Sequence, residues 1–334
     1  MIEMIDVLPA VEAQRLSKTF EVRRGFRQRA QIRAVRDISF AVPKGTTFGL
    51  VGESGCGKST TAKMLLGLEK PSSGNVLYDG KSVTGAHDLA RQRLNVQAVF
   101  QSPSSSLSPR MRVDELITEP LIAQGRSSGR GARRAQASHL LEVVGLSPSA
   151  LVRFPHEFSG GQQQRLAIAR ALSIEPSVLI LDEPVSALDV SIRAQIINLL
   201  MDLQEQRGIA YVLIAHDIAV VEHMSHEIAV MYLGELVEKG PAARVVGGPK
   251  HPYTQALIAA VPIADPEATR TRSVVAGEPP NPMNPPSGCA FHPRCPYAKE
   301  VCRVVKPALA EVERKHWVAC HLYTDGVAEA SHDD

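Results

Sequence analysis

The sequence predicts an α/β protein: a largely parallel sheet with an inserted helical segment, followed by a small segment that contains four cysteines. Apolar, β-branched runs alternate with helical patterns along most of the chain, which is typical of a parallel sheet. The run at residues 178–181 is apolar at every position, as in a strand covered on both faces. A glycine-rich turn at residues 52–60 joins a strand directly to a helix.

The composition excludes several classes of protein. A chain of 334 residues, 44% hydrophobic and 22% charged, is globular and long enough for one large domain and a smaller one. Its net charge of +2 gives no argument for nucleic-acid binding. No apolar run approaches the ~18 residues that cross a bilayer, and the N-terminus is charged, so we expect a cytosolic protein. The five cysteines are then not expected to form disulfides.

The first strands are predicted at residues 11–20 and 34–42. Residues 23–36 are rich in arginine, and a solvated basic hairpin loop is favoured there over a phosphate- or lipid-binding patch. Phe20 could stack on an adenine ring or could belong to the core.

The glycine-rich turn has the spacing G-x-x-x-x-G-K-S, between a strand at 46–51 and a helical pattern at 61–68. In this order the glycines let backbone N–H groups turn toward a phosphate at a helix N-terminus. Lys58 would reach the β- and γ-phosphates and Ser59 would bind Mg²⁺, whereas a merely structural turn leaves Lys58 unexplained. The predicted nucleotide-binding residues are Gly52, Glu53, Ser54, Gly55, Cys56, Gly57, Lys58, Ser59 and Thr60. The position of Cys56 at a helix N-terminus predicts a lowered thiol pKa, so that alkylation would block the nucleotide.

A helical insertion is predicted next. Residues 75–78 with the turn Asp79-Gly80 suggest a short hairpin, and a strand at 96–100 ends at Gln101. Residues 102–111 are rich in serine and proline and predict a loop. Helical patterns follow over residues 113–151, interrupted by an exposed loop at 126–134.

A second glycine-rich turn contains Ser159, Gly160, Gly161 and Gln162, directly before a helical pattern at 163–172. It is another anion site at a helix N-terminus. Because one nucleotide does not need two such sites, this turn is expected to serve a nucleotide held by another subunit.

The apolar strand at 178–181 stops at Asp182 and Glu183. Asp182 would hold Mg²⁺ through water and Glu183 would act as general base, although a salt-bridged strand end is the competing interpretation. Asp189 opens a predicted helix that runs to residue 203 and could be only its cap. His216 follows a strand at 209–215, on the edge where open α/β sheets bind ligands, so contact with the γ-phosphate is predicted.

These motifs, in this order and spacing, resemble an ATP-binding-cassette (ABC) ATPase over residues 11–245. The run Ser-Gly-Gly-Gln-x-Gln-Arg is the most specific of them, with Phe158 where the family usually has leucine. The resemblance implies a RecA-like parallel core with an antiparallel β subdomain and a helical subdomain at about 102–172. It also implies a head-to-tail dimer that holds two ATP molecules. In that dimer Gln101 would contact Mg²⁺, and Asp189 and the second glycine turn would contact the nucleotide.

Four further runs, at residues 109–111, 183–191, 231–234 and 251–257, resemble the ATPases of bacterial dipeptide and oligopeptide importers. Among these the chain is similar to the second, F-type, of two non-identical ATPases. The implied partners are the other ATPase, two transmembrane permeases and an extracytoplasmic substrate-binding protein, but no nucleic acid, at the cytoplasmic face of the inner membrane. Ser102 and Ser108 depart from the family pattern, which leaves the details of docking open.

Two alternatives remain at this point. The same role could serve nickel, glutathione or an opine-like cargo, which the sequence does not separate. A soluble cassette ATPase acting on ribosomes or DNA usually has two cassettes or inserted arms, and this chain has one cassette without such insertions.

The C-terminal extension is predicted over residues 246–325, with a tail at 326–334. After a proline- and acid-rich stretch at 262–286 it contains Cys289, Cys295, Cys302 and Cys320. There is no C-x-x-C pair of the kind that structural zinc sites normally have. A [4Fe–4S] cluster, associated with similar tails, is favoured over Zn²⁺, for which His292, His316 and His321 could substitute as ligands, and over free buried thiols.

Overall fold

The computed structural model describes residues 8–24, 28–83, 88, 92, 95–126, 129–260, 277, 278 and 280–323. The tail at 326–334, residues 25–27 of the predicted basic loop and most of the proline-rich stretch lie outside these residues. The strands are β1 Val11–Arg24, β2 Gln28–Val42, β3 Thr47–Val51, β4 Ser73–Tyr78, β5 Lys81–Ser82, β6 Val96–Val99, β7 Val178–Asp182, β8 Ala210–Ile214, β9 Glu227–Tyr232, β10 Glu235–Pro241, β11 Ala310–Glu313 and β12 His316–Val318. The helices are α1 Lys58–Leu65, α2 Pro103–Ser106, α3 Val113–Ala123, α4 Arg130–Val143, α5 Gly160–Leu172, α6 Val190–Arg207, α7 Ile218–Met224, α8 Ala242–Gly247, α9 Pro252–Ala259 and α10 Glu300–Val304.

The main sheet has the strand order β11-β12-β10-β9-β3-β8-β7-β6 within the described residues. Its five strands from β9 to β6 are mutually parallel, which confirms the predicted fold class. Strand β7 is fully buried from Val178 to Leu181. Its even-numbered residues join the core cluster that contains α1, and its odd-numbered residues join the cluster of the helical segment. Both faces of the strand are therefore covered, as its continuous apolar run predicts.

The second sheet, in the order β2-β1-β4-β5, packs on the α1 side of the main sheet. Its long β1–β2 hairpin pairs as far as Arg24 opposite Gln28. The prediction of a loop over residues 23–36 was therefore wrong for residues 28–33, and residues 34–36 belong to the strand predicted at 34–42. An antiparallel ladder satisfies the backbone whatever the side chains are, so exposed residues such as Arg33 do not end the strand.

Two loop predictions in the helical segment were also wrong. Helix α2 lies within residues 102–111, where Pro103 occupies its first turn, a position that proline tolerates well. Helix α4 begins at Arg130, inside the predicted loop at 126–134. No helix in the described part of the chain is both long and apolar enough to cross a bilayer.

The C-terminal extension continues the main sheet. Strand β12 pairs with β10, and β11 pairs with β12, so residues 310–318 are joined to the core by backbone hydrogen bonds. The boundary predicted after residue 245 falls inside α8.

A buried carboxylate, Glu238 of β10, joins the core to the extension. It accepts hydrogen bonds from the backbone N–H groups of Lys250 and His251, both at 2.8 Å. The ring Nε2 of His316 lies 2.7 Å from the same carboxylate. His316 is therefore held to the core through Nε2, while its buried Nδ1 has no hydrogen-bond partner among the described residues, so its role as a substitute zinc ligand stays a prediction.

Burial of His251 makes stability depend on pH. Its Nδ1 accepts the N–H of Tyr253 at the start of α9, and burial lowers its pKa to about 3. Below about pH 6.5 the unfolded chain binds a proton that the folded chain does not, so the free energy of unfolding falls by about 1.4 kcal/mol per pH unit. Between about pH 6.5 and 5.5 we expect chemical denaturation to show this excess loss in the wild type but not in His251→Asn, which keeps the capping acceptor. Equal losses in the two proteins would contradict the assignment.

Candidate nucleotide site

Four groups of predicted site residues lie at one edge of the sheet. Strands β3, β8, β7 and β6 are adjacent and parallel, so their carboxyl ends meet. The phosphate loop, defined as residues 52–60, follows β3, and His216 follows β8. Asp182 ends β7, and Gln101 comes shortly after β6. Four segments far apart in sequence are thus brought to the edge at which open α/β sheets bind ligands.

Two glycines of the phosphate loop are required by the backbone. Gly52 has φ +153°, and a Cβ there would lie 2.2 Å from the carbonyl oxygen of Met231. Gly57 has φ +116°, and a Cβ there would lie 2.3 Å from the carbonyl oxygen of Ala34. Gly57 is also the N-cap of α1 and provides no side-chain cap, which leaves the first helical turn available to an anion.

The ammonium group of Lys58 lies inside this loop. It donates to the carbonyl oxygens of Gly52 at 2.6 Å and Glu53 at 3.0 Å, and the side chain is buried. Ser54, Gly55 and Ser59 are exposed along the same loop, and Thr60 is partly exposed. The loop therefore combines a buried ammonium group with exposed serine side chains.

The prediction of a lowered thiol pKa for Cys56 was wrong. The side chain is only 4% exposed, and burial raises its pKa, although the Lys58 charge opposes the rise. Desolvation of the thiolate outweighs the helix N-terminus and the lysine.

Cys56 is therefore expected to alkylate slowly. At about pH 7 we expect iodoacetamide to modify it at least about tenfold more slowly than glutathione, because the reactive thiolate is scarce and buried. Peptide mass spectrometry after timed labelling measures the rate, with Cys56→Ser as the control that assigns the peptide. A rate equal to that of glutathione would contradict this prediction.

The two acids at the end of β7 occupy different surroundings. Asp182 follows the even-numbered residues toward the α1 face, and burial raises its pKa, with a further rise from the charge of Glu183. Lys58 and Lys63 lower that pKa, so the lysine of the phosphate loop lies within electrostatic range of Asp182.

Glu183 and His216 meet directly. The ring Nδ1 of His216 lies 3.1 Å from Oε1 of Glu183, and the histidine side chain is 62% exposed. Glu183 has φ +51°, and its N–H donates to the carbonyl oxygen of Ile214 at 2.8 Å. This left-handed backbone turns its carboxylate out of the strand direction. The partner of Glu183 in the structure is thus an exposed histidine rather than the lysine or arginine of a structural salt bridge.

The second glycine turn is exposed at the start of α5. Ser159 is the N-cap: its Oγ accepts the N–H of Gln162 at 3.4 Å, and Oε1 of Gln162 accepts the N–H of Ser159 at 3.1 Å. Gly160 is exposed, whereas a Cβ on Gly161 would lie 2.3 Å from Cγ2 of Ile192. The turn is held from within and presents its outer side to solvent.

Three further predicted residues remain accessible. Asp189 is the N-cap of α6 by position but makes no capping hydrogen bond through its side chain, so the interpretation as a mere cap is not supported. Phe20 pairs with Ile32 in the β1–β2 hairpin, is partly exposed, and has the Lys18 ammonium 5.0 Å from its ring centroid. Gln101 is exposed.

Sequence reasoning missed two residues that contact the phosphate loop. Tyr253 accepts the backbone N–H of Glu53 through its hydroxyl oxygen, and Arg294 pairs with the Glu53 carboxylate. Both belong to the C-terminal extension, and no local spacing predicts contacts across 200 and 241 positions.

The four cysteines of the extension lie near one another. The N–H of Cys289 donates to the carbonyl oxygen of Cys302 at 2.8 Å. Burial raises the pKa of Cys289 to about 11, and the Cys302, Cys320 and Cys295 thiols add to the rise. Among the described residues, however, no three His, Cys, Asp or Glu side chains are grouped as a metal site requires. The thiols thus share one neighbourhood without forming a preassembled set of ligands.

Comparison with known proteins decides the family. The ABC transporter family matches residues 35–186, and the oligopeptide/dipeptide transporter C-terminal region matches residues 237–302. A di/tripeptide transport ATP-binding protein of Pseudomonas aeruginosa is 48% identical over 312 residues, or 92% of this chain and 96% of that protein. The chain belongs to the ABC transporter ATP-binding family. An oligopeptide transport ATP-binding protein of Bacillus subtilis is 45% identical over 94% of this ABC chain and 97% of its own length.

Solved structures agree with this membership. A dimeric ABC cassette in a post-hydrolysis state, bound to ADP and phosphate, is 30% identical with a TM-score of 0.61, over 70% of this chain and 98% of that one. The resemblance drawn from the motifs is confirmed, and as a member of this family the chain is an ATPase that uses ATP and Mg²⁺.

Proposed function

We propose that this ABC ATPase energises the import of dipeptides or oligopeptides through a membrane transporter. The observation that carries the proposal is one chain in which an ABC cassette is followed by an oligopeptide-type C-terminal region, and which matches peptide-transport relatives over more than nine tenths of its length. The continuous sheet from β6 to β11 supports the two regions as one unit.

The residues at the sheet edge support a direct hydrolysis mechanism. Glu183 accepts a proton from a water molecule whose oxygen attacks the γ-phosphorus, and the bond to the β–γ bridging oxygen breaks to give ADP and phosphate. His216 holds the Glu183 carboxylate and lies near the γ-phosphate, and Lys58 neutralises charge on the β- and γ-phosphates. Phe20 stacks on the adenine.

Mg²⁺ would be held by side-chain oxygen atoms of Ser59 and Gln101 and, through water, by Asp182. These are the hard ligands that Mg²⁺ prefers, and they come from α1 and the ends of the neighbouring strands β6 and β7. When bound, Mg²⁺ supplies charge neutralisation on the triphosphate.

A second ATPase completes the site. The exposed turn at Ser159, Gly160, Gly161 and Gln162, together with Asp189, binds the nucleotide held by the other subunit, and a non-identical partner is expected. Phe100, Ile122 and Val152 are exposed apolar residues in or beside the helical segment, which suits contact with two permeases. An extracytoplasmic binding protein would deliver the peptide, and this subunit would lie on the cytoplasmic face of the membrane.

Reconstitution tests the proposal. The chain is co-expressed with its neighbouring permeases and second ATPase, and the complex is placed in vesicles with the binding protein. We expect dipeptides or oligopeptides to stimulate ATP hydrolysis. If only nickel, glutathione or opine-like compounds stimulated hydrolysis, the peptide assignment would be wrong and that compound would be the cargo. Purification with nucleic acid instead of permeases would overturn the transport role.

We also propose that Cys289, Cys295, Cys302 and Cys320 hold a [4Fe–4S] cluster, with Zn²⁺ as the alternative. The backbone hydrogen bonds that join Cys289 to Cys302 and, through His292, to Cys295 support a shared site. An absorption spectrum with iron and zinc analysis of anaerobically purified protein tests it. Brown colour with about four irons per chain supports the cluster, one zinc supports the alternative, and neither metal overturns both.

A further inference from the structure

The phosphate loop is held by Arg294, which lies in the part of the extension from Cys289 to Cys320, here called the cysteine segment. Nη1 of Arg294 lies 3.0 Å from Oε2 of Glu53, and Nη2 lies 3.2 Å from Oε1, so the guanidinium and carboxylate form a two-pronged pair. The Arg294 side chain is 7% exposed and that of Glu53 is 27% exposed. A pair this sheltered from water is screened far less than a surface ion pair.

The same loop residue is held a second time, through its backbone. The N–H of Glu53 donates to the hydroxyl of Tyr253 at 2.8 Å. Tyr253 is buried and packs against Tyr232 and Phe291, with ring centroids 4.6 and 5.5 Å apart. Phe291 and Arg294 flank the same short turn, between Cys289 and Cys295. The backbone N–H and the side-chain carboxylate of Glu53 are therefore both bound by residues of the C-terminal extension.

A carboxylate at this place opposes ATP binding unless it is neutralised. Glu53 immediately follows Gly52 in a loop that is proposed to surround a triphosphate, and like charges at short range repel. The Arg294 guanidinium supplies the compensating charge, and its two hydrogen bonds hold the carboxylate in one orientation. Lys58 lies in the same loop but bonds the Glu53 carbonyl oxygen, not its carboxylate.

We propose that Arg294 is a positioning residue for ATP: it neutralises Glu53 and holds the first part of the phosphate loop in its binding conformation. The C-terminal extension is then part of the nucleotide site rather than an appendage, and changes at the cysteine segment reach ATP through this contact. This goes beyond the transport role and rests on the proposed assignment of the phosphate loop as the ATP site.

We expect Glu53→Gln to suppress the loss of ATP affinity that Arg294→Met causes. Arg294→Met leaves the Glu53 charge uncompensated and should weaken ATP affinity about tenfold, as expected for loss of a charged hydrogen-bonded pair. Glu53→Gln removes the charge, so the double variant should return to within about threefold of the wild type. Arg294→Lys, which keeps the charge but not the fork, should be intermediate. Equilibrium dialysis of the full-length chain with radiolabelled ATP and Mg²⁺ measures each affinity.

A merely structural role gives a different result. In that case Arg294→Met lowers the melting temperature, and Glu53→Gln does not restore ATP affinity; an equal loss of affinity in both Glu53 backgrounds overturns the inference. Arg303→Met is the matched control, because Arg303 is an exposed arginine of the same extension and should leave affinity unchanged. If the wild type itself shows no saturable ATP binding, the ATP-site assignment fails instead, which separates the two failures.

Discussion

Glu183→Gln is expected to lower kcat for ATP hydrolysis by about 10²–10⁴-fold and to leave ATP affinity within about threefold. The substitution keeps the size and planar shape of the side chain but removes the proton acceptor for the attacking water. The contact between Oε1 and His216, at 3.1 Å, can persist with a neutral ring. Hydrolysis is measured in the assembled transporter, and affinity is measured on the chain alone.

Glu205→Gln is the matched control for this change. Glu205 is an exposed carboxylate near the C-terminal end of α6, is not one of the predicted site residues, and its replacement should leave kcat unchanged. If Glu183→Gln retained turnover, general-base catalysis by Glu183 would be wrong. If it lost ATP binding as well, the residue would be part of the nucleotide pocket rather than the base.

Gly160→Asp is expected to lower hydrolysis in the assembled transporter by about 10²-fold, through the site on the other ATPase. A Cβ at Gly160 would meet Cδ2 of Leu188 at 3.7 Å, an ordinary contact, so the fold accepts the side chain. A carboxylate in the first turn of α5 is also favourable for the helix. The same charge repels the phosphates of the partner's ATP, so function should fall without loss of stability.

Two comparisons make this prediction specific. Gly160→Ala adds only the Cβ and should cost much less activity than Gly160→Asp. The ATP affinity of the isolated Gly160→Asp chain should equal that of the wild type, because its own phosphate loop lies on α1 rather than α5. Undiminished hydrolysis in the complex would contradict a shared site between subunits.

Much of the nucleotide site could be predicted from residue order because its parts are local. The strand, glycine turn and helix around Lys58 depend on neighbouring residues and on backbone angles that only glycine adopts easily, as at Gly52 and Gly57. The continuous apolar run before Asp182 predicted a strand covered on both faces, and parallel strands bring their carboxyl ends to one edge. The second glycine turn at Ser159 has the capping pattern that starts a helix, and α5 begins directly after it.

Other features depended on partners far away in the chain. The helix N-terminus near Cys56 predicted a lowered thiol pKa, but packing against the core buried the thiol and reversed the direction. The contact of His316 Nε2 with the buried carboxylate of Glu238 likewise depends on β12 pairing with β10. In both cases residues far away in the chain set the surroundings of the side chain.

The motifs and their order were therefore sufficient to indicate the family and the strand, turn and helix of the phosphate loop. Only the tertiary structure showed that the C-terminal extension continues the main sheet and that Arg294 pairs with Glu53. The reason is physical: periodicity and glycine geometry act over a few residues, whereas burial and charge pairing are decided by which distant segments pack together.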